Sequence, residues 1–184
     1  KDTALGATMG TLADVTGDGY PEIVAADPLA NALDYGVSGG TVYVVDGDDF
    51  SDGSEIAGTT LATVQGETEN QYLRVNRRTA DHDADGTADL LVATPGNLDV
   101  YAAKSGTFLS SGTGGVYWFP GDYVAAGGAL ALGSAKAAFG SGLTGSTFGL
   151  SFDVGHLDGG PTADLAVGAP LYGYGKMFLY ISEL

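Results

Sequence analysis

The chain has 184 residues, enough for one well-buried core, and its 23 acidic residues outnumber its 7 lysines and arginines to give a formal net charge of −16. A strongly negative surface repels polyanions, so we expect neither nucleic-acid binding nor attachment to anionic membranes. There are no cysteines, which excludes disulfides and thiol chemistry. No apolar run approaches the roughly 20 residues of a membrane-spanning helix, so no membrane insertion is expected. Lys1 opens directly into a polar segment without a signal peptide, so we expect a mature or excised chain.

The first predicted elements are a nine-residue acidic loop and a strand. Positions 1, 3, 5 and 9 of this loop, which we call loop one, are occupied by Asp14, Thr16, Asp18 and Glu22, with Gly19 at position 6. The apolar run 23–26 follows, and a short apolar run after a turn-rich loop predicts a buried strand. An EF-hand is not predicted, because its position 12 should be Glu and is Ala25 here.

Two further strands are predicted before the pattern restarts. Residues 38–47 contain alternating valines around an aromatic residue, and residues 59–67 form a second β-prone segment. Between them lies a polar turn cluster at residues 46–54. Loop, strand, strand and strand then recur further along the chain.

Loop two, at residues 81–89, is the most acidic copy. Its positions 1, 3, 5 and 9 are all carboxylates, from Asp81, Asp83, Asp85 and Asp89. Four carboxylates within about 5 Å repel by roughly 3 kcal/mol per pair at an effective dielectric near 20, and a hard divalent cation removes that penalty. Oxygen-only ligands at flexible spacing favour calcium over zinc or copper, and over the tighter octahedron of magnesium. Gly86 permits the curl, and His82 is expected to point outward.

The third copy completes a repeat. The last acids of the loops, Glu22, Asp89 and Asp164, are spaced by 67 and 75 residues. Self-similarity at such a period indicates a repeat architecture, and about four short strands per unit fit a propeller blade. We therefore predict one array over residues 1–184, with repeats at about 4–67, 68–142 and 143–184. Residues 129–142 take the place of a fourth strand in the second repeat, and the last repeat ends after its third strand, at 178–181.

The flanking residues carry a resemblance to a known family. They resemble the FG-GAP repeat, the unit of the integrin α-subunit β-propeller and of many bacterial and archaeal surface proteins. The matching segments are Phe148-Gly149 with Gly168-Ala169-Pro170, Leu5-Gly6 with Ala25-Ala26-Asp27-Pro28, and Tyr72-Leu73 with Ala93-Thr94-Pro95.

The resemblance implies calcium sites in these loops. In the family, side chains at positions 1, 3, 5 and 9 and the carbonyl at position 7 bind the ion. This adds the carbonyls of Tyr20 and Thr87 to the side chains of loops one and two. In loop three, the same alignment places His156 at position 1, Asp158 at position 3 and Asp164 at position 9, with Asp153 as a substitute ligand. Two carboxylates are lost, so we predict that calcium fills loop two first, then loop one, then loop three.

The predicted fold is all-β, made of antiparallel four-stranded blades of an FG-GAP (integrin-like) β-propeller. About three blades are present, so the propeller is incomplete or completed by other chains. The resemblance implies an extracellular or cell-surface module that binds calcium and serves protein recognition, adhesion or surface assembly. Its expected partners are a protein or glycan ligand, or other copies of itself.

Two alternatives stay open. The chain is a non-catalytic propeller portion of a larger secreted enzyme, a hydrolase or lyase, or it is a subunit of a calcium-dependent surface filament. Catalysis within these residues is not predicted, because no nucleophile–base pair accompanies either histidine. Arg74, Arg77 and Arg78 are expected on a solvated strand face or, as the alternative, in an anion-binding patch.

Overall fold

A computed structural model of the chain describes residues 4–30, 39–48, 60–68, 70–96 and 114–181. The described part is mostly β, with antiparallel sheets, which agrees with the predicted all-β class. Residues 38, 49–54 and 59 of the predicted strand and turn segments lie outside the described residues. No helix in the described ranges is long and apolar enough to cross a membrane.

Sheet 1 has five strands, in the spatial order β1 (Thr8–Leu12), β2 (Glu22–Asp27), β3 (Thr41–Val45), β4 (Thr60–Gln65) and β8 (Gly128–Ala131). The first four lie within the span of the first predicted repeat and are antiparallel neighbours. The fifth strand, β8, comes from the span of the second predicted repeat and pairs in parallel with β4.

Sheet 2 lies within the span of the second predicted repeat and has four antiparallel strands, in the order β5 (Arg74–Val75), β6 (Leu90–Thr94), β7 (Gly115–Phe119) and β9 (Ala137–Phe139). Residues 129–142, predicted as one fourth strand, instead divide into most of β8, a 3₁₀ turn at Leu132–Ser134, and β9. A five-residue helix, α1 (Gly121–Ala125), follows β7.

Sheet 3 lies within the span of the third predicted repeat and has three antiparallel strands. They are β10 (Ser151–Gly155), β11 (Asp164–Ala169) and β12 (Lys176–Tyr180). Within the described residues, β12 pairs only with β11, so its other edge is open, as predicted.

The three sheets pack face to face in succession. One apolar cluster joins Val24 and Val44 of sheet 1 to Leu90 and Val92 of sheet 2. A second cluster joins the opposite face of sheet 2 to sheet 3. Because side chains alternate across a strand, Leu91 and Ala93 face sheet 3 while their neighbours face sheet 1. Sheet 2 is therefore covered on both faces and lies between the other two sheets of the described part of the chain.

The strand registers correct one part of the repeat alignment. Arg74 pairs with Ala93 as Ser151 pairs with Gly168. The residue that corresponds to Gly149 is therefore Tyr72, whereas the sequence alignment had matched Gly149 with Leu73. The backbone agrees, because φ is +52° at Tyr72 and +89° at Gly149. The second repeat thus holds a tyrosine in a left-handed conformation that favours glycine.

Candidate metal centre in loop two

Loop two is a hairpin closed at its two ends. The N–H of Asp89 donates to the carbonyl of Ala80 at 3.0 Å, and the two residues form an isolated antiparallel bridge. Gly86 takes a φ of +94°, as the need for a curl predicts. Ala84 also has a positive φ, at +60°, where loops one and three have the glycines Gly17 and Gly159. The hairpin presents its side chains at the end of β6, next to the central sheet.

Asp89, at position 9, is the buried anchor of the loop. Only 1% of its surface is exposed. Its carboxylate accepts hydrogen bonds from the N–H of His82 at 2.7 Å and of Gly121 at 2.9 Å. Burial nevertheless dominates and raises the pKa of Asp89 to about 6, because the charged form has lost its water. A bound cation would remove that cost.

Asp81 and Asp83 converge on this anchor. Ligand oxygens of Asp81, Asp83 and Asp89 all lie within 4.8 Å of one another. Asp81 also accepts hydrogen bonds from the N–H groups of Asp85 and Gly86, at 3.1 and 2.7 Å. Oδ1 of Asp83 is buried and has no hydrogen-bond partner. An acceptor oxygen in that condition is costly unless a cation or donor reaches it.

The remaining predicted ligands of loop two lie outside this trio. Oδ1 of Asp85 accepts the N–H of Thr87 at 2.7 Å, and both residues belong to the turn rather than to the three-acid cluster. Gly121 packs so closely on Thr87 and Ala88 that an added Cβ would collide with both. The start of α1 therefore fixes positions 7 and 8 of the loop.

Lys136 supplies a local counter-charge that the sequence did not predict. Its Nζ lies 2.8 Å from Oδ2 of Asp83 and 4.8 Å from the centroid of the Trp118 ring. The hydrogen bond to Asp83 raises the pKa of Lys136. The Lys136 ammonium contacts only Oδ2 of Asp83, so Oδ1 could still contact a metal ion. No spacing signal reveals this contact, because Lys136 is 53 residues from its partner.

His82 is buried, whereas the alternation within the loop predicted an outward side chain. Its relative exposure is 8%, and its ring stacks edge-on against Trp118 with centroids 5.4 Å apart. Burial lowers the pKa of His82, and a hydrogen bond with the backbone of Ala163 opposes that shift. The reason is tertiary: loop three of the next sheet covers loop two, as the N–H of Ala163 donating to the Asp81 carbonyl shows.

Loop one has a different arrangement. The carboxylate of Asp14 accepts the N–H groups of Gly17, Asp18 and Gly19, and these bonds, with that of Gly19 first, hold its pKa below the usual range. The buried carboxylate of Glu22 accepts the N–H groups of Val15 and Thr16. Thr16 donates its hydroxyl to Asp14 at 3.3 Å. Tyr20 is exposed and donates its N–H to Asp18.

In loop one the three-acid cluster forms around Asp18 rather than around Asp14 and Glu22. Its other members are Asp46 and Asp48, which follow β3. Partial burial, together with the charges of Asp18 and Asp48, raises the pKa of Asp46. The sequence predicts a turn at Asp46 and Asp48, and the repeat pattern does not include them among the candidate ligands. One signal in the sequence could have indicated them. They directly follow β3, and β3 pairs with β2, which starts at the last residue of loop one.

Loop three is held by a histidine. Nδ1 of His156 lies 3.0 Å from the carbonyl oxygens of both Gly160 and Thr162. Asp164 accepts the N–H groups of Leu157 and Asp158, and Asp158 accepts the N–H of Gly160. A ring nitrogen thus approaches the carbonyl of Thr162 at position 7, the position whose carbonyl is a calcium ligand in the FG-GAP pattern. No three-acid cluster forms in this loop among the described residues.

Asp153, the predicted substitute ligand, lies away from loop three. It is in β10, and its Oδ1 accepts the side-chain amide of Asn76 at 2.8 Å. Asp153 therefore joins the first strand of sheet 3 to the segment after β5. Its place in the strand explains why it does not reach the loop, because the five residues of β10 are paired with β11.

The donor set of loop two fits a hard cation. It consists of carboxylate oxygens, one of them buried without a partner, on a loop whose backbone is closed by hydrogen bonds. Nitrogen and sulfur ligands are absent from the trio, which disfavours zinc and copper. No protein-family model matches the chain, and no curated protein sequence matches it.

Proposed function

We propose that the chain is a calcium-binding module of the FG-GAP type, whose three sheets are blades of a β-propeller that serves extracellular protein recognition, adhesion or surface assembly. The support comes from the repeated loop, strand and packing pattern of the three sheets. Each sheet places its acidic loop just before its second strand, and successive sheets bury equivalent faces. The role is one of binding and not of catalysis.

A single observation carries the calcium proposal. Asp83 has a buried Oδ1 without a hydrogen-bond partner, and one of its carboxylate oxygens lies within 4.8 Å of ligand oxygens of Asp81 and Asp89. Loop two would hold the ion through these carboxylates, with Asp85 and the carbonyl of Thr87 as further ligands. When bound, calcium supplies positive charge that offsets the mutual repulsion of the carboxylates and the burial of Asp89.

The protein itself does the positioning. Gly121 and His82 hold Asp89 through their N–H groups, and the bridge from Ala80 to Asp89 closes the hairpin. The loop is also bonded to sheet 3 through Asp81 and Ala163. Calcium at this point would therefore act as a clip that stiffens the contact between two sheets and leaves their outer surfaces for partners.

A second candidate, assembly with other copies, is favoured by sheet 3. Met177, Leu179 and Ile181 alternate along and just beyond β12 and are 69%, 52% and 45% exposed. An open strand edge beside an exposed apolar row favours pairing with another chain. The molar mass in solution with and without calcium separates the roles. A calcium-independent monomer supports recognition by a single module, and calcium-dependent polymers support assembly.

Calorimetric titration of the metal-free protein with CaCl₂ tests the proposal. We expect loop two to bind with a dissociation constant on the order of 10⁻⁴ to 10⁻³ M, as in extracellular calcium modules. Removal of calcium should lower the free energy of unfolding by about 1 to 4 kcal/mol per occupied site. The variant Asp83→Asn should lose the tighter binding step, and Asp158→Asn, the matched position in loop three, should keep it. Equal titrations of the wild type and Asp83→Asn would count against loop two.

A further inference from the structure

The residue just before the third strand of each sheet is a glycine with a left-handed backbone. Counted from position 9 of each loop through the strand pairings, Gly40 of sheet 1, Gly114 of sheet 2 and Gly175 of sheet 3 are equivalent. Their φ angles are +89°, +70° and +91°. These φ values favour glycine, so the three sheets share one local backbone at this point.

In sheets 1 and 2 this glycine is covered by the chain that enters the next sheet. A Cβ added at Gly40 would collide with the backbone nitrogen of Leu73, at the entry to sheet 2. A Cβ added at Gly114 would collide with the carbonyl oxygen of Phe148, at the entry to sheet 3. Each following sheet therefore packs directly on the glycine of the sheet before it.

Sheet 3 has the same glycine without such a cover. At Gly175, the nearest atoms to an added Cβ belong to Pro170 of the same hairpin and are at least 3.5 Å away. Met177 of β12 is equivalent to Val116 of β7. Val116 is fully buried under sheet 3, whereas Met177 is 69% exposed. Within the described ranges, the apolar clusters join this face of sheet 3 to no other sheet.

This uncovered face, which we call the acceptor face, is largely apolar and contains an open cavity of about 340 Å³. On sheet 2, the equivalent place is filled by the entry to sheet 3, where Gly149 approaches Ala93 and Val116. The acid that lines the cavity, Asp153, accepts the side-chain amide of Asn76. The acceptor face consists of Ala166, Gly168, Gly175, Met177 and Leu179.

Residues 5–9 of the first repeat, which we call the donor segment, have the backbone of the segment that covers sheet 2. Gly6 has a φ of +86°, and Gly149 has a φ of +89°. The N–H of Gly6 donates to the carbonyl of Ala26 at 3.0 Å, and that of Gly149 donates to the carbonyl of Gly168 at 3.1 Å. Ala26 and Gly168 both lie four residues after position 9 of their loops, so the two hydrogen bonds are equivalent.

The donor segment exposes apolar side chains. Leu5 is equivalent to Phe148, which is fully buried between sheets 2 and 3, yet Leu5 is 48% exposed. Met9 is 47% exposed. Ala25 and Val45, on the same face of sheet 1 as Met9, are buried within the chain itself. The part of this face that is available for a contact is therefore the donor segment.

We propose that two copies of the chain pair head to tail, with the donor segment of each copy on the acceptor face of the other. Leu5 then takes the position on sheet 3 that Phe148 takes on sheet 2. The contact is heterologous, so two such contacts can close into a pair. The pair contains six sheets, a number within the four to eight blades of propellers. The inference rests on the proposed blade character of the sheets, and it uses no residue of the acidic loops.

Sedimentation velocity of the full chain over a range of concentrations tests this pairing. The net charge of −16 on each copy opposes association. The buffer should therefore contain about 0.15 M NaCl, where the Debye length is about 8 Å. We expect a concentration-dependent species of twice the mass of the chain, both in metal-free samples and with calcium. A chain that stays monomeric, or that forms species larger than a pair, would overturn the proposal.

Single substitutions remove one side of the contact at a time. Met177→Asp or Leu179→Asp places a charge on the acceptor face, and Leu5→Asp places one in the donor segment. Each should raise the dissociation constant of the pair at least about tenfold, because apolar anchors dominate the energy of an interface. Leu157→Asp, in loop three, is the matched control at a residue that is 59% exposed. It should keep the dissociation constant within about twofold, and an equal loss there would overturn the proposal.

An equimolar mixture of Met177→Asp and Leu5→Asp tests the head-to-tail geometry. The first variant keeps its donor segment and the second keeps its acceptor face, so together they can form one intact contact. We expect the mixture to form a pair that neither variant forms alone. Pairing through the open edges of β12, or through two acceptor faces, would leave Leu5→Asp paired on its own. That result, or a mixture that stays monomeric, would overturn the head-to-tail contact.

Two further measurements on the same samples complete the test. Circular dichroism spectra that match the wild type show that each variant is folded. Calcium binding is measured separately by calorimetry. A chain that binds calcium but does not pair overturns the pairing alone, and a chain that pairs without binding calcium overturns the metal centre alone.

Discussion

The backbone N–H of Ala163 donates to the carbonyl oxygen of Asp81 at 3.2 Å. This bond joins the loop of sheet 3 to the first acidic residue of loop two. His82, the next residue, is buried at the same contact and stacks on Trp118. The candidate metal centre is therefore part of the interface between two sheets, and a change in the loop is expected to alter the stability of that interface.

Replacing His82 by Ala should destabilise the protein. His82 is only 8% exposed, and removal of its ring leaves a cavity between loop two, Trp118 and Phe139. We expect a loss of about 2–3 kcal/mol in the free energy of unfolding, measured by urea denaturation without metal. His156→Ala, at the exposed histidine, is the comparison and should cost less. Equal losses would contradict the buried role of His82.

Two backbone substitutions test the loop conformation. Ala84 and Gly86 have φ angles of +60° and +94°. A left-handed residue with a Cβ costs roughly 1–2 kcal/mol, so Ala84→Gly should raise the free energy of unfolding by up to about 1 kcal/mol after the entropy of glycine is subtracted. Gly86→Ala should lower it by about 1–2 kcal/mol for the same reason, since no atom lies near its added Cβ. Thermal denaturation measures both effects. A decrease in stability for Ala84→Gly together with an increase for Gly86→Ala would contradict these φ values.

Asp89 makes the metal-free protein less stable as the pH rises. Its folded pKa of about 6 lies above its ordinary value, so the folded state binds the proton more tightly than the unfolded state. The stabilisation is present below about pH 4 and is lost as the pH rises through 6. In metal-free samples, the free energy of unfolding of the wild type minus that of Asp89→Asn should fall by about 2–3 kcal/mol between pH 4 and 7.

The comparison with Asp89→Asn is needed because His82 acts in the opposite direction. Burial lowers the pKa of His82, so its contribution is lost as the pH falls below the unfolded value. Subtraction of the variant removes this common term. A difference that stays flat with pH would mean that Asp89 is not held in an environment that disfavours its charge.

Loop three should be stable without calcium. The contacts of His156 Nδ1 with Gly160 and Thr162 hold the loop through a donor of the protein itself. His156→Ala should cost about 0.5–1.5 kcal/mol, the net value of a hydrogen bond, with the same cost in the presence and absence of calcium. Parallel urea titrations in both conditions measure this. A cost that appears only in calcium would identify loop three as an occupied site.

The strands after the loops could be predicted, because each is an apolar run between a turn-rich loop and a proline. β2, β6 and β11 all start within one residue of position 9 of their loops. The parallel strand β8 could not be predicted, because each of its residues pairs with a residue of β4 that is 66 positions earlier, and no local pattern specifies that pairing. The assignment of the three sheets to blades of an incomplete propeller stays a prediction, and the described sheets do not close on themselves.

The candidate metal centre also has a part that local sequence predicts and a part that it does not. Spacing alone grouped Asp81, Asp83, Asp85 and Asp89, and the hairpin brings all of these except Asp85 into one cluster. It missed Asp46 and Asp48, which reach loop one through the pairing of β2 with β3. It placed His82 outward, because alternation describes an isolated loop and not one covered by another sheet. The sequence predicted the geometry within a loop. Contacts between loops and strands depend on which strands pair and in which register, and the sequence did not predict these.

The most direct test of the calcium centre uses Trp118, the only tryptophan of the chain, which adjoins His82 and Lys136 at loop two. Excitation of the indole should sensitise the luminescence of Tb³⁺ added to metal-free protein, and CaCl₂ should displace it in a saturable titration. Asp83→Asn should abolish most of the sensitised signal, and Asp158→Asn should leave it unchanged. A wild-type signal that is absent, or that calcium does not displace, would contradict a calcium site in loop two.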